Sequence, residues 1–115
     1  MIIVVPPEVN EKMLGIARSN SRAHREVIRI YVYLERLEIK LREASLEFWN
    51  VRDSASGWLE AGATLENGIP IWRLYPTHVH CVAFLAKQDD HLLVLDVSSR
   101  AEVEDTEAQL INCCC

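Results

Sequence analysis

The sequence predicts an α+β domain: an N-terminal strand, then a helical hairpin with one long helix, packed on a small antiparallel sheet of three to four strands. Three observations predict it. Arg22 to Trp49 run 28 residues without Gly or Pro and carry helical periodicity. The second half of the chain alternates β-branched and aromatic runs with turn residues, as strands and hairpins do. No internal repeat, low-complexity linker or break in composition divides the 115 residues, so 1–112 read as a single domain, with 113–115 as a disordered tail.

Ile2 to Val5 is a short β-branched run stopped by Pro6-Pro7, which reads as the first strand. Pro7 suits a first helical turn, and Glu8 and Glu11 complement the positive end of that helix. Val9, Met13, Leu14, Ile16 and Ala17 supply its apolar side. The polar break Ser19-Asn20-Ser21 ends it, and Ser21 is the expected N-cap of the long helix. So short a connection predicts two helices packed as a hairpin.

Along the long helix, Val27, Ile30, Leu34, Leu37, Leu41, Ala44 and Phe48 recur in alternating steps of three and four, which marks a face buried against the sheet. At about 100° per residue, Arg22, Arg25, Arg29, Arg36 and Lys40 gather on the far side. Beside them runs a second apolar line, Ile28, Val32, Ile39 and Leu46. A solvated helix face has no use for four aliphatic side chains, so this line is expected to bind a partner, with a homodimer through the long helix as the first expectation. A helix of another partner, or the C-terminal segment 103–111 folding back, is the alternative cover.

Asn50 to Gly57 reads as a loop. Trp58 to Leu65 and Ile69 to Tyr75 read as hairpin strands closed by Glu66-Asn67-Gly68, where Asn-Gly supplies the positive φ angles a tight turn needs. His78 to Leu85 is the next strand, with His78, His80, Val82 and Phe84 on one face and Val79, Cys81, Ala83 and Leu85 on the other. His91 to Val97 is nearly all apolar, which predicts a central strand covered on both faces. Arg100 to Ile111 reads as a terminal helix with Ser99 as cap and Glu102 at the third position.

The net charge of −5 predicts no general attraction to polyanions, yet the charge is segregated. Residues 8–47 hold eight Lys/Arg against seven Asp/Glu, and residues 48–115 hold four against ten. Binding of a polyanion would therefore be local and salt-sensitive. No run is long and apolar enough to span a membrane, and the first residues lack a basic n-region and cleavage site, so a cytoplasmic protein without membrane attachment is expected. Cys81 reads as a buried small hydrophobe, and Cys113 to Cys115 as reduced thiols.

The order of these elements, strand, helix, long helix, antiparallel strands and a weak helix, resembles the RelE/ParE superfamily of bacterial toxins, including the HigB-type proteins. Gly68-Ile69-Pro70-Ile71-Trp72-Arg73-Leu74-Tyr75 is similar to that family's glycine–aromatic–arginine strand, and His91 to Val97 with Ser98-Ser99-Arg100 resembles its last strand. The resemblance implies a toxin held by an antitoxin, with the ribosome and mRNA as target of an endoribonuclease. It implies that Arg73 holds phosphate and that Arg100 stabilises the transition state, roles that suit the fixed, forked charge of arginine. His80, if it lies beside Arg73, would serve as general acid or base. Glu60 is a weaker candidate base. Two departures stand against catalysis: the sheet half is acidic, and no aromatic residue follows Phe84. The bland reading makes both arginines rim residues with acidic neighbours, and His78 and His80 a surface pair without a third metal ligand. No metal or cofactor is expected. The alternative function is a non-catalytic, dimeric protein-binding module of the same fold.

Overall fold

The structure is a computed structural model and describes residues 2–43, 57–77 and 79–113. The elements run β1 (Ile2–Val4), α1 (Pro7–Ala17), α2 (Ser21–Glu43), β2 (Gly57–Thr64), β3 (Pro70–Pro76), β4 (Cys81–Gln88), β5 (His91–Ser99), a 3₁₀ turn at Arg100–Glu102, and α3 (Val103–Cys113). The class is α+β. The sheet is larger than the sequence predicted. Among the described residues it has five strands in the order β1-β5-β4-β3-β2, because β1 joins its edge in parallel to β5, with Ile3 opposite Leu92.

The sheet is apolar on both faces, since strand side chains alternate and both sets are hydrophobic. One face carries Leu59, Leu74, Cys81, Ala83, Leu85, Leu92, Val94 and Val97. Against it pack Val9 and Met13 of α1 and Val27, Ile30, Tyr33, Leu34 and Leu37 of α2. Leu34 and Leu37 are buried, as the periodicity requires. The other face carries Ile71, Val82 and Phe84, covered by Val103, Leu110 and Ile111 of α3. The three described helices thus form two layers around the sheet, with α3 alone on its side among the described residues. The strand β5 is an interior strand with apolar contacts on both faces, as its sequence predicted, but the middle of the sheet is β4.

Side-chain ties fix the helices in register. The Tyr31 hydroxyl donates to Asn10 Oδ1, joining α2 to α1. Lys12 Nζ reaches Asp96 Oδ1 at 2.7 Å, joining α1 to β5. At one end of α2, Glu26 Oε1 accepts the His80 backbone N–H at 3.1 Å. At the other, Glu38 Oε2 accepts the Ile3 N–H at 3.1 Å, so a side chain caps a backbone donor of the edge strand.

Several local expectations change. The cap of α2 is Asn20, whose Oδ1 accepts the Ala23 N–H at 2.8 Å, and not Ser21, which is already the first residue of the helix. The carboxamide sits one residue upstream, at the spacing a capping acceptor needs. The β2–β3 hairpin closes through Glu66-Asn67-Gly68, as predicted, but with one positive φ angle where more than one was expected. Gly68 N–H donates to Leu65 O, Leu65 N–H to Ile69 O, and only Gly68 in the loop has positive φ, +86°. This is the three-residue loop in which a type I turn is followed by a left-handed glycine. At the C-terminus, the predicted single helix begins as a 3₁₀ turn. Ser99 donates its hydroxyl to Glu102 Oε1 at 3.1 Å and makes no capping bond to the backbone. Leu41 has no described side chain, and Leu46 and His78 lie outside the described residues.

Leu37 is 2 % exposed at the centre of the helix–sheet contact. Truncation to Ala is expected to destabilise the fold by about 2–5 kcal/mol, measured by urea unfolding with an unchanged m-value. A loss under about 1 kcal/mol would show that the contact is not tightly packed.

Candidate functional site

Of the residues singled out from the sequence, Arg73, Arg100 and Glu60 lie together on the α3 side of the sheet. Arg73 projects from β3 between β2 and α3. Its guanidinium makes a forked pair with Glu107 of α3, Nε to Oε2 at 2.9 Å and Nη2 to Oε1 at 2.8 Å. Glu60, opposite Arg73 on β2, adds a carboxylate oxygen 3.8 Å from Nη1. The Arg73 and Glu107 side chains are 21 % and 9 % exposed, so the pair is largely withdrawn from water. Hydrogen bonding to Arg73 holds the Glu107 carboxyl below its ordinary range against the opposing effect of burial, and a backbone hydrogen bond from Ala63 helps. The same bond to Glu107 raises the pKa of Arg73.

Gly62 makes room for this pair. A Cβ at position 62 would collide with Glu107 Oε2 and lie 3.2 Å from Ile71 O and 3.3 Å from Arg73 Nε. Here the glycine is required by a close approach and not by a turn.

Toward the end of the hairpin, Tyr75 links Arg73 to an aromatic pair. Burial raises the pKa of its hydroxyl, against the lowering effect of the neighbouring Arg73. The Tyr75 and Trp58 rings, directly opposed on β3 and β2, stack with centroids 5.0 Å apart and planes 8° from parallel. Arg100 lies over both rings, its Cζ 5.6 Å from each centroid, close enough for a cation–π contact. Its backbone N–H donates to His80 O at 2.8 Å.

Arg73 and Arg100 therefore share one face and both approach Tyr75. His80 is linked to them only through its backbone, and its exposed imidazole makes no hydrogen bond or ion pair among the described residues. Glu60 is exposed beside Arg73. No three His, Cys, Asp or Glu side chains converge as a metal site among the described residues. Cys81 is buried on the other face, and burial together with the charge of Glu26 raises its thiol pKa, which keeps it protonated and unreactive. As for phosphate, Arg73 offers little: two of its donors are engaged by Glu107, and a third faces Glu60.

Glu107, Gly62, Trp58 and Tyr75 were not singled out by sequence. One signal for Glu107 was present. It falls four residues after Val103 and three before Leu110, on the apolar side of the helix, where an acid needs a partner. The Trp58–Tyr75 pairing was hidden by the irregularity between Ala61 and Thr64, which shifts the hairpin register by one.

No family model, no curated protein and no solved structure matches this chain.

Two outcomes test this geometry. Gly62→Ala is expected to destabilise the protein by about 1–3 kcal/mol through overpacking against Glu107, while Gly68→Asn should be milder, since no atom lies within 4 Å of a Cβ there and Asn tolerates the left-handed conformation. The second concerns pH. Because the folded Glu107 pKa is lowered, the residue contributes stability above the ordinary glutamate range, about pH 4.3. That contribution is lost as pH falls through the lowered value. Glu107→Gln should lower the melting temperature at pH 7 and flatten its decline in acid. A decline as steep as the wild type would remove Glu107 from the account.

Proposed function

We propose that this chain is a non-catalytic protein-binding module that forms a homodimer through the outer face of α2. One observation carries the reading. Ile28, Val32 and Ile39 are 48 %, 41 % and 44 % exposed and stand on the side of α2 directly opposite its core residues Ile30, Leu34 and Leu37. The segment 103–111 does not fold over them, because its apolar residues pack on the far face of the sheet. Arg25, Arg29 and Arg36 flank this line on one side and Glu35 on the other, all exposed. A two-fold axis along paired parallel helices sets each arginine flank against the partner's Glu35 flank, the self-complementarity a symmetric contact needs.

Full burial of an aliphatic side chain is worth about 1.5–3 kcal/mol, and these are already half covered. Association and side-chain ordering oppose the gain, so the expected affinity is micromolar. Leu46 extends the line in sequence. Sedimentation of the wild type at tens of micromolar should show a dimer, and Val32→Glu/Ile39→Glu should be monomeric with unchanged circular dichroism. A monomeric wild type at that concentration overturns the reading.

A second reading, that of a RelE/ParE-like toxin cutting mRNA at the ribosome under control of an antitoxin, is favoured by one feature: Arg73 and Arg100 converge on Tyr75. Under that reading, expression alone arrests growth, and Arg73→Ala and Arg100→Ala each relieve the arrest while the protein stays folded. Free expression of the wild type without a partner gene rules it out.

A further inference from the structure

We propose that the corner between α1 and α2 is a binding site for an oligophosphate anion, a ligand site separate from the Arg73 cluster and overlapping the arginine flank of the α2 seam at Arg25 and Arg29. Two adjoining concavities lie there. One, about 490 Å³, is lined by Arg18, Asn20, Ser21, His24 and Arg25. The other, about 240 Å³, is lined by Arg22, Arg25, Glu26 and Arg29. Arg25 lines both, so the two form one basic trough.

In a chain of net charge −5, four arginines and a histidine share this trough with a single acid. That acid, Glu26, already accepts the His80 N–H and pairs with Arg22 within the trough, 3.8 Å from its Nε. Arg18 and Arg25 have no carboxylate partner among the described residues, in contrast to Arg73. The first turn of α2 holds no acid at all. It carries Arg22 and His24 instead, where like polarity of side chain and helix end raises the energy of the free protein. An anion in the trough removes that repulsion. The bound group is held by side chains more than by the helix end, because Asn20 already accepts two amides of the first turn: Oδ1 takes the Ala23 N–H and the main-chain oxygen takes the His24 N–H. The Ser21 hydroxyl, spared from capping, lines the same concavity.

The form of the trough selects the ligand. A lone phosphate engages one of its halves. An anion with two or more linked phosphates spans both about Arg25, and forked guanidinium donors match phosphate oxygens in pairs. No Phe, Tyr or Trp lines either half, so the phosphates are the part of the ligand that the trough is argued to hold.

The test is calorimetric titration of the full chain at low ionic strength with inorganic tripolyphosphate, orthophosphate and a Glu-rich peptide. Tripolyphosphate is expected to bind at least about tenfold more tightly than the other two, to weaken as salt is raised, and to be displaced by a nucleoside triphosphate. Arg18→Gln and Arg25→Gln, both at exposed positions, should each weaken it by about tenfold through loss of a charge-assisted contact, with circular dichroism unchanged. Lys87→Gln, on β4 outside the trough, should leave the affinity as it is. Equal binding of orthophosphate or of the peptide, failure of the nucleoside triphosphate to compete, or affinity indifferent to Arg25→Gln would each overturn the proposal.

Discussion

A sheet whose central strands are apolar on both faces must be covered on both, because exposed β-branched and aromatic side chains on either side would remain in water. Here α1 and α2 cover one face, and the only described element that covers the other is the C-terminal helix α3. That helix is acidic: Glu104 and Asp105 stand in its first turn, and Glu107 falls on the side that meets the sheet. A carboxylate withdrawn from water needs a cation with matching geometry. Arg73 supplies it from β3, with two parallel bonds, and Gly62 supplies the space. The arrangement that a resemblance to RNA-cutting toxins made into a phosphate grip is thus accounted for by the covering of the second face.

The first face shows the opposite economy. α2 is tied by Glu26 to the start of β4 and by Glu38 to the edge strand β1. These bonds lie on the flanks of its buried stripe, so they fix the rotation of the helix as well as its position. Rotation decides which residues face out. With Val27, Ile30, Leu34 and Leu37 turned to the sheet, Ile28, Val32 and Ile39 cannot reach any part of the same layer. Their exposure follows from the same helical period that buries the leucines.

How far the sequence could be read depended on the range of the interaction. Leu34, Leu37 and β5 were legible because their burial is written in local periodicity. The addition of β1 to the sheet was not: it depends on a parallel pairing between Ile3 and Leu92, far apart in the chain, and three residues carry no register information of their own. The α2 cap was misplaced by one residue because Asn20 and Ser21 are both good caps, and only geometry chooses between them. The Asn67-Gly68 turn was recognised, but its type was not, since one positive φ is enough when the loop has three residues. At the site, Arg73 and Arg100 were found, and their surroundings were not. An arginine in a strand reads the same from sequence whether it faces a substrate or an internal carboxylate.

That ambiguity is resolved by comparing the arginines with one another. Arg73 is desolvated and matched by carboxylates, and its pairing stabilises the fold. Arg100 rests on two aromatic rings, which compensate part of its charge without neutralising it. Arg18 and Arg25 have neither support among the described residues and sit beside Arg22 near a helix end of the same sign. Internal packing explains the first group and goes some way to explain the second. It gives no reason for the third. Charges that a fold holds together without compensating them are those for which an external anion changes the energy most, and in this molecule they lie at the α1–α2 corner, away from the sheet face to which the strand motifs pointed.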